Sequence, residues 1–245
     1  MATLYVIATP IGNLEDITVR ALRVLGEIDA LACEDTRQTR KIYTRYNIAV
    51  PRIVFSYHEY NEERAGQRIL GLLKQDLAVG LCTNAGYPSI SDPGYRIVSG
   101  AVAEGFDIVV VPGAGAVTTA LVAAGLATSS YTFRGFLPKK RGQRKAALML
   151  EKESPHTMVI FESPYRVVQL LEDAQETLGD RKAAVCIELT KRFESTYRGY
   201  LSELRAQLQE RVPLKGEITV VVAGSNPKFL KPTERPPVIL RTAPG

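Results

Sequence analysis

Short apolar runs of four to seven residues alternate with longer stretches of helical periodicity along most of the 245 residues. This alternation narrows the fold more than any other feature. A short apolar run bounded by turn residues reads as a strand buried on both faces, and repeated strand–helix units build a parallel sheet covered by helices. In the first half, strands are expected at residues 4–8, 31–33, 53–55, 77–82 and 108–111, with helices beginning near Asp16, Arg37, Asn61 and Tyr95. Asp16 and Asn61 carry side-chain oxygens suited to an N-cap, and Gly26 and Gly105 are placed to end helices. The expected fold class is α/β.

After the Pro112-Gly113-Ala114-Gly115 turn the rhythm changes. A helix from about Ala116 to Leu126 is followed by a loop and a basic segment, then by strands at 157–161, 183–189 and 217–223. Residues 194–200 alternate as a further strand would, ahead of a helix from about Ser202. We therefore expect two α/β domains, 1–112 and 113–226, and a proline-rich, partly disordered tail at 227–245.

Charge is unevenly spread. Residues 1–112 hold 11 Lys and Arg against 13 Asp and Glu, a balance of −2, whereas 113–245 hold 20 against 13, a balance of +7. An anionic macromolecule would feel the second half first. Cys33, Cys82 and Cys186 are far apart, and His58 and His156 have no ligand spacing to them, so a reduced cytosolic chain with no metal site is expected. The N-terminal MATLYVIATPIGN has no basic flank and reads as a strand rather than a signal peptide. Residues 108–133 contain no charge, but Pro112, Gly113, Gly115 and Gly125 divide them into a strand, a turn and a helix rather than a membrane span.

Six polar segments are candidates for chemistry. Thr9-Pro10-Ile11-Gly12-Asn13-Leu14 follows the first strand, where a ligand meets strand ends and a helix N-terminus, although an ordinary turn has the same look. The long loop from Thr83 to Gly94 is too rich in Gly, Pro and Ser for a mere connection; Asp92 within it is also suited to capping the next helix. Cys33-Glu34-Asp35-Thr36-Arg37-Gln38-Thr39-Arg40-Lys41 sets two carboxylates beside three cations, either to position a hydroxyl and a phosphate together or simply to begin a helix. Lys139, Lys140, Arg141, Arg144 and Lys145, preceded by Phe133 and Phe136, make a basic and aromatic segment of the kind RNA favours. Phe161-Glu162-Ser163-Pro164-Tyr165-Arg166 and Glu188-Leu189-Thr190-Lys191-Arg192-Phe193-Glu194 crowd polar groups at two further strand ends.

Taken in order, LYVIATPIGNLEDITVRAL, CEDTRQTRK, AGYPSISDPGYRIV, VVPGAGAVTTALVAAGL, GFLPKKRGQR, FESPYR, ELTKRFE and KGEITVVVAG resemble the tetrapyrrole methylase superfamily of S-adenosylmethionine-dependent enzymes, and within it the branch that methylates ribosomal RNA. The likeness covers about residues 4–224. It implies two α/β domains with the cofactor in the cleft between them, in a homodimer, and 2′-O-methylation of a cytidine ribose in small-subunit (16S) ribosomal RNA, with the assembled subunit as partner. By motif, the S-adenosylmethionine would meet Pro10, Ile11 and Gly12; Gly86, Tyr87, Pro88, Ile90 and Ser91; Gly113, Ala116 and Val117; and Phe161, Glu188, Leu189, Thr190 and Gly216. Where that branch reads S-D-A-G-T-P, this chain has Thr83-Asn84-Ala85-Gly86-Tyr87-Pro88, and Tyr87 is expected to narrow the cofactor pocket or to stack on the ligand.

A ribose hydroxyl is a poor nucleophile, so the reaction needs it held in line with the transferring methyl and needs a group to take its proton. Glu34, Asp35, Glu162, Glu188 and Lys191 are the candidates, Asp35 and Lys191 first among them. Arg37, Arg40, Lys41, Lys139, Lys140, Arg141, Arg144 and Lys145 would bind phosphates. Two rival readings stand beside this one: methylation of a tetrapyrrole or other small substrate, and a catalytically silent RNA-binding or ribosome-assembly protein.

Overall fold

In a computed structural model, which describes residues 2–231, the chain divides into two compact units. The first runs to Ala123 and also takes in Cys186–Ser195; the second comprises Ala124–Val185 and the described residues from Thr196 to Lys231.

The first unit is built on five strands, β1 (Thr3–Ile7), β2 (Ala30–Cys33), β3 (Ile53–Ser56), β4 (Val79–Cys82) and β5 (Asp107–Val111). They are ordered β3-β2-β4-β1-β5 and all pair in parallel. Residues of alternating parity sort to opposite faces, as the pleat demands. Leu4, Val6, Ala30, Ala32, Val79 and Leu81 pack with Ile69 and Leu73 of α3 (Glu62–Leu73) and Ile97 and Ala101 of α4 (Tyr95–Ala103). Ile7, Leu31, Cys33, Cys82 and Val111 pack on the other face with Ala21, Val24 and Leu25 of α1 (Val19–Glu27) and Ile42 and Tyr43 of α2 (Thr36–Tyr46). Two covered faces explain why β2 and β4 are apolar and buried throughout.

The second sheet holds β6 (Tyr131–Phe136), β7 (Thr157–Glu162), β8 (Lys182–Ile187), β9 (Ser195–Tyr200) and β10 (Ile218–Val222), ordered β6-β7-β10-β8-β9. β6 and β7 are parallel and β7 and β10 antiparallel, so this sheet is mixed. Its helices are α6 (Arg141–Met149), α7 (Val167–Leu178) and α8 (Leu201–Gln209).

Several local expectations change. Residues 14–16 form a 3₁₀ turn capped by Asn13, and α1 starts later because Thr18, not Asp16, accepts the free amide of Ala21. Asn61 stands at the N-cap of α3, but its side chain accepts from the His58 amide and donates to the Ser56 carbonyl, which closes the preceding turn. Gly26 lies inside α1, whereas Gly105, at φ +79°, does follow the end of α4. β6 lies where a loop was expected: Arg134 and Gly135 interrupt its apolar pattern, and the pairing register shifts between Phe133 and Phe136. α7 adds to the expected elements.

The division between units falls in α5 (Ala116–Ala124), past the turn at 112–115, because that turn packs back on the first sheet: a Cβ on Gly113 would come 3.1 Å from the Ala8 Cβ. Of the expected tail, 227–229 form a 3₁₀ turn, Leu230 bridges to Arg181 and the Lys231 amide donates to the Asp180 carbonyl at 2.9 Å. Residues 232–245 lie outside the described part. The three cysteines are buried. Among the described residues no helix is long and apolar enough to cross a membrane.

The basic segment differs most from expectation. Arg144 is fully buried, its Nε and Nη2 at 2.7 and 2.6 Å from the Asp173 carboxylate of α7 and its Nη1 donating to the Lys139 carbonyl at 3.0 Å. Arg141 reaches Asp173 at 2.8 Å and Glu176 at 2.9 Å, and Lys145 reaches Glu176 at 2.8 Å. These three cations staple α6 to α7, and Arg144 leaves the RNA-facing set. Removing one partner strands the other as a buried charge, so Asp173→Ala should lower stability by about 3–5 kcal/mol, read as a fall in the urea midpoint of the full chain.

Candidate methyl-donor site

The loops after β1, β4 and β5 leave one edge of the first sheet side by side. β2 leads outward to β3 and β4 leads across β1 to β5, so at adjacent strand ends the chain departs in opposite directions. That divergence opens a crevice where ligands of α/β sheets bind. Backbone bonds tie the loops together: the Thr9 amide donates to the Gly86 carbonyl at 2.9 Å, the Gly86 amide to the Thr9 carbonyl at 3.0 Å, and the Ala8 amide to the Val111 carbonyl at 3.1 Å. The Thr9 hydroxyl donates to the Thr83 carbonyl at 3.1 Å. Gly86 has φ +77°, which a glycine adopts without strain.

Tyr87, one of the departures from the family pattern, has a local role. Its hydroxyl accepts the Gly113 amide at 3.0 Å, and its ring stands 3.6 Å from where a Cβ on Gly115 would lie. It holds the loop after β4 against the loop after β5. A second departure, Asn84, is exposed, and its backbone amide donates to Glu34 Oε2 at 3.0 Å, which joins the loop after β2 to the same edge.

A fourth loop completes the arrangement. Glu188 and Thr190 take left-handed conformations, φ +53° and +64°, that non-glycine residues rarely adopt. The Thr190 hydroxyl accepts the Asn13 amide at 3.1 Å, the Thr190 amide donates to Glu194 at 2.9 Å, and Lys191 Nζ lies 2.8 Å from Glu188 Oε1. Lys191 crosses directly over Gly12: a Cβ there would come 2.3 Å from Lys191 Cγ and 3.0 Å from the Leu189 carbonyl oxygen. The structure therefore gathers Pro10, Ile11, Gly12, Gly86, Tyr87, Gly113, Glu188, Thr190 and Lys191 in the first unit. Pro88 is buried in the same loop, and Ile90 and Ser91 are exposed.

Asp35 is the N-cap of α2 and is committed there. Its carboxylate accepts the Arg37 amide at 2.8 Å and the Arg37 guanidinium at 2.9 and 3.1 Å, and those bonds from Arg37 hold its pKa down at about 2. A carboxylate so placed is a weak proton acceptor. Phe161, Glu162 and Gly216 belong to the second unit. Phe161 packs edge-to-face with Phe133 and Phe136, at 4.9 and 5.8 Å between ring centres. Glu162 is buried, 2.5 Å from Arg166 and accepting the Ser163 amide at 2.6 Å. Gly216 is exposed at φ +86°.

One group at the sheet edge was missed. After β3, the Tyr57 hydroxyl donates to Glu62 Oε1 at 2.9 Å, and that oxygen also accepts the Gly94 amide at 3.2 Å. Burial raises the Tyr57 pKa above the ordinary phenol range. The signal lay in Ser56-Tyr57-His58-Glu59-Tyr60-Asn61-Glu62, a polar and aromatic run at a strand end holding one of two histidines.

The profile of the family "Tetrapyrrole (Corrin/Porphyrin) Methylases" matches residues 3–205. The chain belongs to the tetrapyrrole methylase family. Among curated relatives, this tetrapyrrole methylase is 45% identical over 226 residues to "Ribosomal RNA small subunit methyltransferase I" of Halalkalibacterium halodurans, covering 92% of this chain and 77% of that one. The protein of the same name from Thermotoga maritima is 41% identical over 224 residues, covering 91% and 99%. Among solved structures, a cobalt precorrin-4 methyltransferase superposes with a TM-score of 0.67 at 19% identity over 90% of this chain and 94% of that one. Uroporphyrin-III C-methyl transferase from Thermus thermophilus, complexed with S-adenosyl homocysteine, gives 0.62 at 17% over 91% and 97%. These two show the fold.

Two outcomes test the site. Gly12→Ala must displace the loop at 188–191, so S-adenosylhomocysteine affinity measured by calorimetry should fall by at least about tenfold, as expected for a misplaced binding loop. Tyr87→Phe removes the acceptor of the Gly113 amide, and hydrogen exchange at that amide should quicken while the melting temperature drops by a few degrees, the effect of about 1 kcal/mol.

Proposed function

We propose that this tetrapyrrole methylase transfers the methyl group of S-adenosylmethionine to the 2′-hydroxyl of a cytidine in small-subunit ribosomal RNA, acting in the cytoplasm on the ribosomal subunit. The observation that carries this reading is the 41–45% identity, over nine-tenths of the chain, to proteins named for methylating small-subunit ribosomal RNA.

The residues at the sheet edge fit the donor. Pro10 and Ile11 are buried apolar groups beside Gly12 and Gly86, where close backbone approach is available to a flat ring. α5 begins at Ala116 with small residues, and free first-turn amides of this kind suit a carboxylate. The Thr118 and Thr119 hydroxyls both donate to the Gly115 carbonyl, at 3.1 and 2.9 Å, and fix the turn that presents those amides. Phe161 and Gly216 are assigned to the donor on the family resemblance.

When bound, the donor supplies an electrophilic methyl on sulfur. The chain has to hold the ribose oxygen in line with it and accept the hydroxyl proton as the C–O bond forms and the methyl–sulfur bond breaks, with S-adenosylhomocysteine as the leaving group. Asp35 is tied to Arg37, and Glu162 is enclosed with Arg166. Glu188 is partly exposed, strained and adjacent to the Gly12 loop, with Lys191 orienting its carboxylate, and backbone strain of this kind collects at functional positions. We assign Glu188 as the proton acceptor and Lys191 as its positioning residue.

Labelled methyl transfer to small subunits lacking the modification, with mass spectrometry of the digest, tests the reading. The expected product is 2′-O-methylcytidine; methyl on a base, or no transfer where an active relative succeeds, refutes it. In the same assay Glu188→Gln should lower kcat by about 10²–10⁴-fold with little change in KM, the range for loss of a general base. Asp35→Asn should leave the acidic limb of the pH–rate profile in place, because a group already ionised above about pH 2 does not titrate there.

A further inference from the structure

The RNA-methylation reading leaves open where the RNA lies, and the inference below rests on that reading. α2 carries Arg37, Arg40, Lys41 and Arg45 and no acidic residue. Their spacing places them along one side of the helix, opposite the buried Thr39, Ile42 and Tyr43. All four are exposed, and with Thr36 and Thr44 they line a shallow groove of about 530 Å³.

These charges are left largely un-neutralised. Arg37 is paired with Asp35 at 2.9 Å. Lys41 donates only to the neutral amide of Gln38, at 2.6 Å, and Arg45 lies 5.9 Å from the centre of the Tyr46 ring. Arg40 has no ion pair among the described residues. Three free cations within a rise of about 8 Å repel one another until an anion arrives. The segment 139–145 is the opposite case, with Arg141, Arg144 and Lys145 held by Asp173 and Glu176 and only Lys139 and Lys140 left over.

We propose that α2 is the phosphate track of the enzyme. A single-stranded stretch of the substrate RNA runs along Arg40, Lys41 and Arg45, which fix its register through the backbone and read no base. Its end at Arg37 adjoins Glu34, whose carboxylate holds the Asn84 amide, so the strand is led from the helix to the loops that hold the donor.

The test uses the full chain and a labelled single-stranded fragment of small-subunit ribosomal RNA, with the isolated small subunit as second ligand, across about 50 to 200 mM salt. Arg40→Gln/Lys41→Gln/Arg45→Gln should weaken binding roughly 10- to 100-fold at the low-salt end. It should also flatten the slope of log affinity against log salt by about 2, at ~0.7 per phosphate contact. S-adenosylhomocysteine affinity and melting temperature should be unchanged, which separates a lost track from a damaged fold. An unchanged slope on both ligands overturns the proposal. So does a slope change carried instead by Lys139→Gln/Lys140→Gln, or binding of polyglutamate as tight as that of RNA with the same loss in the triple variant. Methyl transfer is read separately: a wild-type chain that shows the α2-dependent slope and transfers no methyl refutes the methylation reading and leaves the track standing.

Discussion

A parallel sheet makes the chain leave every strand at the same edge, because each return must cross over through a helix. In the first unit that constraint collects the loops after five strands in one place, and the strand order brings those of β4, β1 and β5 into direct contact. Past the strand ends the pairing continues in a different sense. Thr9 and Gly86 exchange two hydrogen bonds as an antiparallel bridge although β1 and β4 are parallel, so the two loops bend toward each other. Close approach of this kind demands small residues, which is why Gly12, Gly86, Gly113 and Gly115 all lie within these turns.

The backbone strain of the first unit falls mostly on the same edge. Ser89 and Ser91 sit at φ +74° and +63° in the loop after β4, and Glu188 and Thr190 are similarly left-handed in the loop that follows β8. Each such residue costs on the order of 1–3 kcal/mol unless its surroundings over-determine it. Here they do: Thr190 is held through both its hydroxyl and its amide, and the Ser89 amide donates to the Pro93 carbonyl at 3.3 Å. Gly94 is packed so tightly that a Cβ would come 2.7 Å from the Ser89 hydroxyl. The two loops are thus braced by their own hydrogen bonds and close packing, an arrangement suited to holding a ligand in one orientation.

Much of this was legible in the sequence wherever the signal was local. The five strands of the first sheet read directly from their apolar runs, most plainly β2 and β4, which are buried on both faces. The loops at 9–14 and 83–94 read from Gly, Pro and Ser at strand ends. β6 did not, because Arg134 and Gly135 break its pattern and pairing with β7 supplies what local propensity lacks. Nor did the membership of 186–195 in the first unit, which depends on a contact between Thr190 and Asn13 across 177 positions. The commitment of Asp35 to Arg37 was equally hidden, because adjacency in sequence shows a carboxylate beside a cation and not which of its lone pairs are taken.

The two basic segments show why counting charges misleads about where a polyanion binds. By sequence the run from Lys139 to Lys145 is the denser, and it sits in the half of the chain with the larger positive balance. Folding places it opposite Asp173 and Glu176, which lie on the following helix α7 and give no sign of their role until α6 and α7 pack. A buried guanidinium requires such a partner, because desolvation of an unpaired charge would outweigh the packing that the helix pair gains. Among the described residues Arg40, Lys41 and Arg45 of α2 have no carboxylate partner, so their field stays open to solvent. What recommends a basic segment for RNA is therefore that folding leaves its cations without carboxylate partners, a property of the fold and not of the run itself.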